Sequence, residues 1–261
     1  MNFNYSDLCY DCDTLIPNLK NNDIWRITLR FCNEELKNIL VDLMEAIKFN
    51  SSLAYLDLYY SMIGINRIKA LVDALKVNSS LIELNLGSNQ IGKEGASALA
   101  EALKVNSSLT VLDLSWNQIG KEGASALADA LKVNSSLTML DLSGKPGNQI
   151  ENEGAFALAD ALKVNSSLTE LNLNRNKIEQ FGAFALADAL KVNSSLTVLN
   201  LSDNKIKNEG AFALANALKF NSSLVKLDLY LNQFRKDGKK ALVFALAEVL
   251  KVNSSLTVLY F

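Results

Sequence analysis

The sequence predicts an α/β solenoid: a curved stack of strand–helix units, with a parallel β-sheet on the concave face and helices on the convex face. Three observations predict it. A unit opened by Ile24, Leu53, Leu81, Leu109, Leu137, Leu168, Leu196, Leu224 and Leu256 recurs every 28 residues in five of its eight steps, the other steps being 29, 31 and 32. A fixed period in that range marks stacked repeats. Within each unit the apolar pattern switches from alternation to helical spacing. Each unit then closes on an Asn-Ser-Ser corner, at Asn50, Asn78, Asn106, Asn134, Asn165, Asn193, Asn221 and Asn253.

The unit from Leu109 to Ser136 shows how each element arises. Leu109, Leu112 and Leu114 give L-x-x-L-x-L. The alternation over 111–115 predicts a short strand, with Leu112 and Leu114 pointing inward and Val111, Asp113 and Ser115 pointing to the concave side. Asn117 and Ile119 follow, and the asparagines Asn89, Asn117, Asn148, Asn176, Asn204 and Asn232 form a ladder at this bend. An amide donates and accepts, so each is expected to satisfy turn backbone in its own and the adjacent repeat. The first two repeats carry Cys32 and Ser61 instead. From Gly123 the leucines Leu127 and Leu131 lie four apart, beside Ala124 and Ala130, which predicts a helix with one apolar face. Lys132 suits the helix C-terminus electrostatically, and Asn134 is expected in a left-handed C-cap. One strand and one helix cannot bury these leucines alone. Stacked copies can, and helices wider than the strand spacing bend the stack with its strands inside.

The resulting pattern, L-x-x-L-x-L-x-x-N-x-I-x-x-x-G-x-x-x-L-A-x-x-L-x-x-N-x-x-L, resembles the ribonuclease-inhibitor subfamily of leucine-rich repeats over residues 24–261. The resemblance implies a leucine-rich-repeat horseshoe whose concave face binds another protein, often an enzyme that it wraps and blocks. The Ran GTPase-activating protein and the sensor region of NLR immune receptors share the repeat. They imply two alternatives, regulation of a small GTPase and a sensor fragment. Near-verbatim LKVNSSL copies at Leu75, Leu103, Leu131, Leu162, Leu190 and Leu250 point to recent duplication. Similar arrays occur in effectors of intracellular bacteria and in protists. An effector or effector-regulating role, cytoplasmic or in a host cytosol, is therefore a further expectation.

Residues 1–23 are expected to cap the first repeat, since terminal repeats must cover an open core. The chain stops at Leu256-Thr-Val-Leu-Tyr-Phe261, a strand with no helix after it, so either the natural chain is longer or another chain covers that edge. SGKPGN at 143–148 adds three residues and predicts a small projection at the concave rim; it lacks the frame of a phosphate loop. Four extra residues after Gly238 are close to one helical turn, so that helix is expected to lengthen without losing its face.

Composition removes several function classes. The 261 residues include no histidine, the commonest general base and zinc ligand, and no nucleophile–base pair or glycine-rich phosphate cradle is visible. The chain therefore reads as non-enzymatic and free of cofactors. Cys9 and Cys12 form a CxxC with only Cys32 left to join it, so reduced thiols in a cap are expected rather than a metal site. Three cysteines suit a reducing compartment. A net charge of −2 speaks against nucleic acid, and the absence of an apolar run of membrane-spanning length speaks against a membrane partner. The opening residues lack the charged and apolar regions of a signal peptide, so the Asn-Ser-Ser triplets read as corners rather than glycosylation sites.

The candidate partner-binding residues are those the repeat leaves without a core duty: Tyr55, Asp57, Tyr59, Tyr60, Glu83, Asp113, Trp116, Asp141, Arg175, Asp203, Asp228 and Tyr230. They make a polar-to-acidic central column flanked by aromatics, to which Phe31 and Tyr260 also belong. Trp, Tyr and Arg are over-represented among interface hot spots; the alternative is decoration of a drifting repeat. On the helices, Phe156, Phe184, Phe212 and Phe244 replace the serines of earlier copies, Ser97 and Ser125. They either form an exposed convex stripe for self-association or pack between neighbouring helices.

Overall fold

The computed structural model describes residues 2–5, 12–30, 34–144 and 148–261. Strands and helices alternate throughout: β1 Asn2–Tyr5, α1 Cys12–Lys20, β2 Arg26–Leu29, α2 Glu34–Phe49, β3 Tyr55–Asp57, α3 Gly64–Leu75, β4 Glu83–Asn85, α4 Gly92–Leu103, β5 Val111–Asp113 and α5 Gly120–Leu131. They continue as β6 Met139–Asp141, α6 Glu151–Leu162, β7 Glu170–Asn172, α7 Gln180–Leu190, β8 Val198–Asn200, α8 Asn208–Ala217, β9 Lys226–Asp228, α9 Lys236–Leu250 and β10 Val258–Tyr260. The strands form one ten-stranded sheet in sequence order. Every pairing is parallel, and like positions face like positions, as in Val111↔Met139 and Asp113↔Asp141. This is the α/β solenoid expected from the repeat.

The core lies between sheet and helices. In the central unit Leu109, Leu112, Leu114, Ile119, Ala124, Leu127, Ala128, Ala130 and Leu131 are all buried. Alanine recurs on the helix because neighbouring helices pack closely. Gly123 shows the limit of that packing: a Cβ there would lie 2.4 Å from Ile119 Cγ2 and 2.9 Å from Ala96 Cβ. Gly123 is therefore a contact point inside α5 and not its start. The helix opens three residues earlier at Gly120, whose φ of +69° is a conformation that glycine adopts without strain.

The bend asparagines work as expected. The Asn117 amide donates to the carbonyls of Leu86, one repeat back, at 2.9 Å and Ser115, in its own repeat, at 3.0 Å. Its Oδ1 accepts from the N–H groups of Asn89 and Ile91 in the preceding repeat at 2.9 and 3.3 Å. Ser61 fills the same place with less, donating to Leu29 O at 2.7 Å. Cys32, the other exception, lies outside the described residues.

The corner asparagines differ from expectation. The left-handed residues do not include Asn134. Its side chain is buried and forms a second ladder. Nδ2 donates to Leu103 O and Asn106 O at 2.8 and 3.1 Å, and Oδ1 accepts from Ser136 and Leu137 N–H at 3.1 and 2.8 Å. Its amide is thus committed to two repeats, and α5 ends instead on Lys132 in a right-handed conformation.

The strand ends at Asp113, two residues before the alternation does, because Ser115 N–H turns back to Asp113 Oδ1 at 2.8 Å. Ser115 is buried in that turn rather than open to the concave side. At the N-terminal end β1 extends the sheet against β2, and Leu15 and Leu19 of α1 join the core. At the other end α9 runs for 15 residues against 12 in α5, the lengthening that its extra residues predict.

Candidate concave binding face

The concave face is built from outward strand positions and the second and third residues after each strand. The third of these stands in the left-handed region in successive repeats: Tyr60, Ser88, Trp116, Arg175, Asp203 and Leu231 have φ between 50° and 62°, and Gly144 has 129°. The turn into the Asn ladder requires it. Glycine, asparagine or aspartate suits such a position best, and a bulky side chain there is strained. Trp116 and Tyr60 nevertheless occupy it and are 41% and 45% exposed. Periodicity cannot reveal this feature, since it registers which face a residue takes and not the sign of φ; Gly144 in the same column is the one signal in the sequence.

Glycines set the aromatic rings. A Cβ on Gly144 would lie 2.5 Å from Trp116 Cδ1, and one on Gly87 would lie 2.8 Å from Tyr59 Cδ2. Trp116 and Tyr59 therefore lie against the backbone of the next repeat, which holds each ring in place. Tyr60 stands beside Tyr59 with ring centroids 6.5 Å apart. Lys145, Pro146 and Gly147, the rest of the expected projection, lie outside the described residues, as does Phe31.

The acidic column is not uniform. Asp57 was expected to face a partner, but it is fully buried. Arg30 of the preceding repeat covers it with Nε at 2.8 Å and a second contact from Nη2, Tyr59 N–H donates to it at 3.0 Å, and the Tyr55 hydroxyl lies at 3.5 Å. It is an anchor for Arg30 and Tyr59, not a contact residue. Arg175 and Asp203 likewise form an ion pair with each other, though both stay partly exposed. Asp228 accepts the Tyr230 N–H at 2.9 Å and so turns the chain that displays Tyr230, 56% exposed.

Between these ends Tyr55, Glu83, Asp113 and Asp141 converge on one depression of about 170 Å³, lined also by Leu84, Asn85, Val111, Leu112 and Met139. Asp113 accepts from Ser115, and Asp141 accepts from Ser143 N–H at 2.8 Å and Asn172 Nδ2 at 2.9 Å. Burial pushes the Asp113 carboxyl above the ordinary aspartate range. The neighbouring charges of Asp141 and Asp57 act the same way, against hydrogen bonds from Ser115 that pull it down. Val111 lies on this face as the strand alternation predicts, and Arg26, paired with Tyr55 across β2 and β3, sets its guanidinium 3.7 Å from the Tyr55 ring centroid.

On the convex side neither alternative holds for all four phenylalanines. Phe156 and Phe244 are exposed, whereas Phe184 and Phe212 are half-buried, with Phe212 packed against the core. Phe181, exposed, meets Phe184 edge-on at 6.0 Å. Among the described residues no group of His, Cys, Asp and Glu side chains could hold a metal ion, and no helix is long and apolar enough to cross a membrane. Cys9 and Cys32 lie outside those residues.

Five stretches, residues 77–100, 105–128, 133–159, 164–187 and 192–215, match a family model described as Leucine Rich repeat. No curated protein matches the sequence. Among solved structures, the chain is similar to the leucine-rich repeat-containing protein LegL7 from Legionella pneumophila, with 17% identity and a TM-score of 0.56 over 99% of this chain and 89% of that one. It is also similar to the tropomodulin C-terminal domain of Caenorhabditis elegans, with 20% identity and a TM-score of 0.50 over 60% of this chain and 93% of that one. A third likeness is to the leiomodin-1 actin-binding site 2, with 27% identity and a TM-score of 0.48 over 52% and 80%. At such identities the first two show a common fold.

Proposed function

The chain belongs to the leucine-rich repeat family, and on that premise we propose that it is a non-enzymatic module that holds a partner protein on its concave face. The observation that carries this reading is the pair Trp116 and Tyr60, large aromatics exposed on that face at left-handed turn positions that favour small residues. Tyr230 extends the same surface towards the far end. In its finer form the partner is an enzyme, and the horseshoe blocks it. The ribonuclease-inhibitor-like subtype is part of this proposal and is supported by the 28-residue period.

Trp116→Ala and Tyr60→Ala are each expected to weaken a cross-linked and identified partner by about 2 kcal/mol, roughly 30-fold in Kd, by titration calorimetry. Their thermal unfolding should match the parent, since neither ring fills the core. A partner that binds both variants with parental affinity places the contact elsewhere. Loss of the partner enzyme's turnover on binding tests the finer form.

Self-association through the convex side is a second reading, favoured by the exposure of Phe156, Phe181 and Phe244. Changing the exposed Phe156, Phe181 and Phe244 to serine should convert a dimer to a monomer in sedimentation. A parent chain that is monomeric at high concentration rules this reading out.

A further inference from the structure

We propose that the partner seats one cationic side chain, an arginine or lysine, in the depression walled by Tyr55, Val111 and Met139 and floored by Asp113 and Asp141. This inference rests on the concave face being the binding surface and specifies its chemistry.

The pattern of ion pairs along the face sets this spot apart. Asp57 is neutralised by Arg30, and Asp203 by Arg175. Among the described residues Glu83, Asp113 and Asp141, which line the depression, have no such ion pair. Asp113 and Asp141 stand directly opposite on paired strands, where like charges repel. The raised proton affinity of Asp113 reflects its burial first and, to a lesser extent, that crowding. A cation brought by a partner would relieve it, and a charge-assisted hydrogen bond to a carboxylate is among the stronger ones.

The walls narrow the class of cation. Tyr55, Val111 and Met139 offer apolar surface for a methylene stem, the arrangement that long cationic side chains favour. A metal ion has no use for such walls, and the carboxylates do not form a metal-holding group among the described residues. At about 170 Å³ the space lies below the roughly 300–1,000 Å³ of small-molecule sites, so it suits one side chain and not a metabolite. The Tyr55 ring already accepts one guanidinium, that of Arg26, which does not line the depression.

The test is a methyl-NMR titration of the full chain with acetyl-Gly-Arg-Gly-amide, against the same peptide carrying citrulline, which keeps the shape and loses the charge. The Met139 methyl should shift with the arginine peptide and respond at least about tenfold more weakly to citrulline, while buried Met44 stays still. The Asp113→Asn/Asp141→Asn double variant should lose the response. It should also fold, because Asn85, Asn172 and Asn200 already occupy this column and Asn keeps the oxygen that accepts the turn N–H. Equal response to citrulline, no shift with peptide on the order of 10 mM, or an unchanged double variant would each overturn the proposal. An identified partner that is weakened by Trp116→Ala but indifferent to the double variant overturns this inference alone. A partner indifferent to both overturns it together with the concave reading.

Discussion

Asn117→Ala is expected to destabilise the solenoid by about 3 kcal/mol, because it strands buried backbone donors in the preceding repeat. The side chain is fully buried and holds four main-chain groups. They do not all suffer equally. Leu86 O keeps a donor from Asn89 Nδ2 at 2.9 Å, and Ser115 O keeps the Ser88 N–H at 2.8 Å. The N–H groups of Asn89 and Ile91 have no second acceptor among the bonds observed, and each orphaned buried donor costs about 1–3 kcal/mol. Urea unfolding measures the sum directly. Asn117→Ser, which mimics Ser61, should cost less than alanine because the hydroxyl can both donate and accept. A midpoint for Asn117→Ala equal to the parent would mean that water enters the bend and satisfies those amides.

Leu112→Ala should cost about 2–5 kcal/mol, the range for a buried leucine truncated to leave a cavity. Leu112 is 1% exposed and sits in register between Leu84 of β4 and Leu140 of β6, so the cavity opens towards two neighbouring repeats. In a stack where each unit packs only on its neighbours, weakening both interfaces of a middle unit also lowers the cooperativity of the whole. The urea transition should therefore move to lower concentration and broaden. A transition of parental midpoint and width would show that the strand leucines do not carry the stack. The Trp116→Ala variant is the internal contrast, altering binding while leaving this transition in place.

Much of the architecture is legible residue by residue. The leucines at Leu109, Leu112 and Leu114 follow from the alternation within one repeat, and the ladder at Asn117 from the 28-residue period between repeats. Other features are invisible to that reading because their cause lies in another repeat. Asp57 looks like its column mates Asp113 and Asp141, yet Arg30, 27 residues earlier, buries it. Asn134 looks like a local helix cap, yet its amide bonds Leu103, 31 residues back. Phe184 and Phe212 occupy the same helical position as Phe156 and Phe244 but differ in exposure.

The sequence by itself determined the fold, the inward leucines, the two asparagine columns and the face left without a core duty. Each of these is set by spacing along the chain, and hydrophobic burial with backbone hydrogen bonding converts spacing directly into a side of the solenoid. Only the tertiary structure decided which members of the leftover face are available. Stacking brought Arg30 onto Asp57 and Arg175 onto Asp203, turned Trp116 outward through a left-handed residue, and left Glu83, Asp113 and Asp141 around one depression without an ion pair among the described residues. Those outcomes depend on distances between repeats. Electrostatic attraction, desolvation and van der Waals contact act through space at a few ångströms, whereas the residues they join are separated by a full period of the chain.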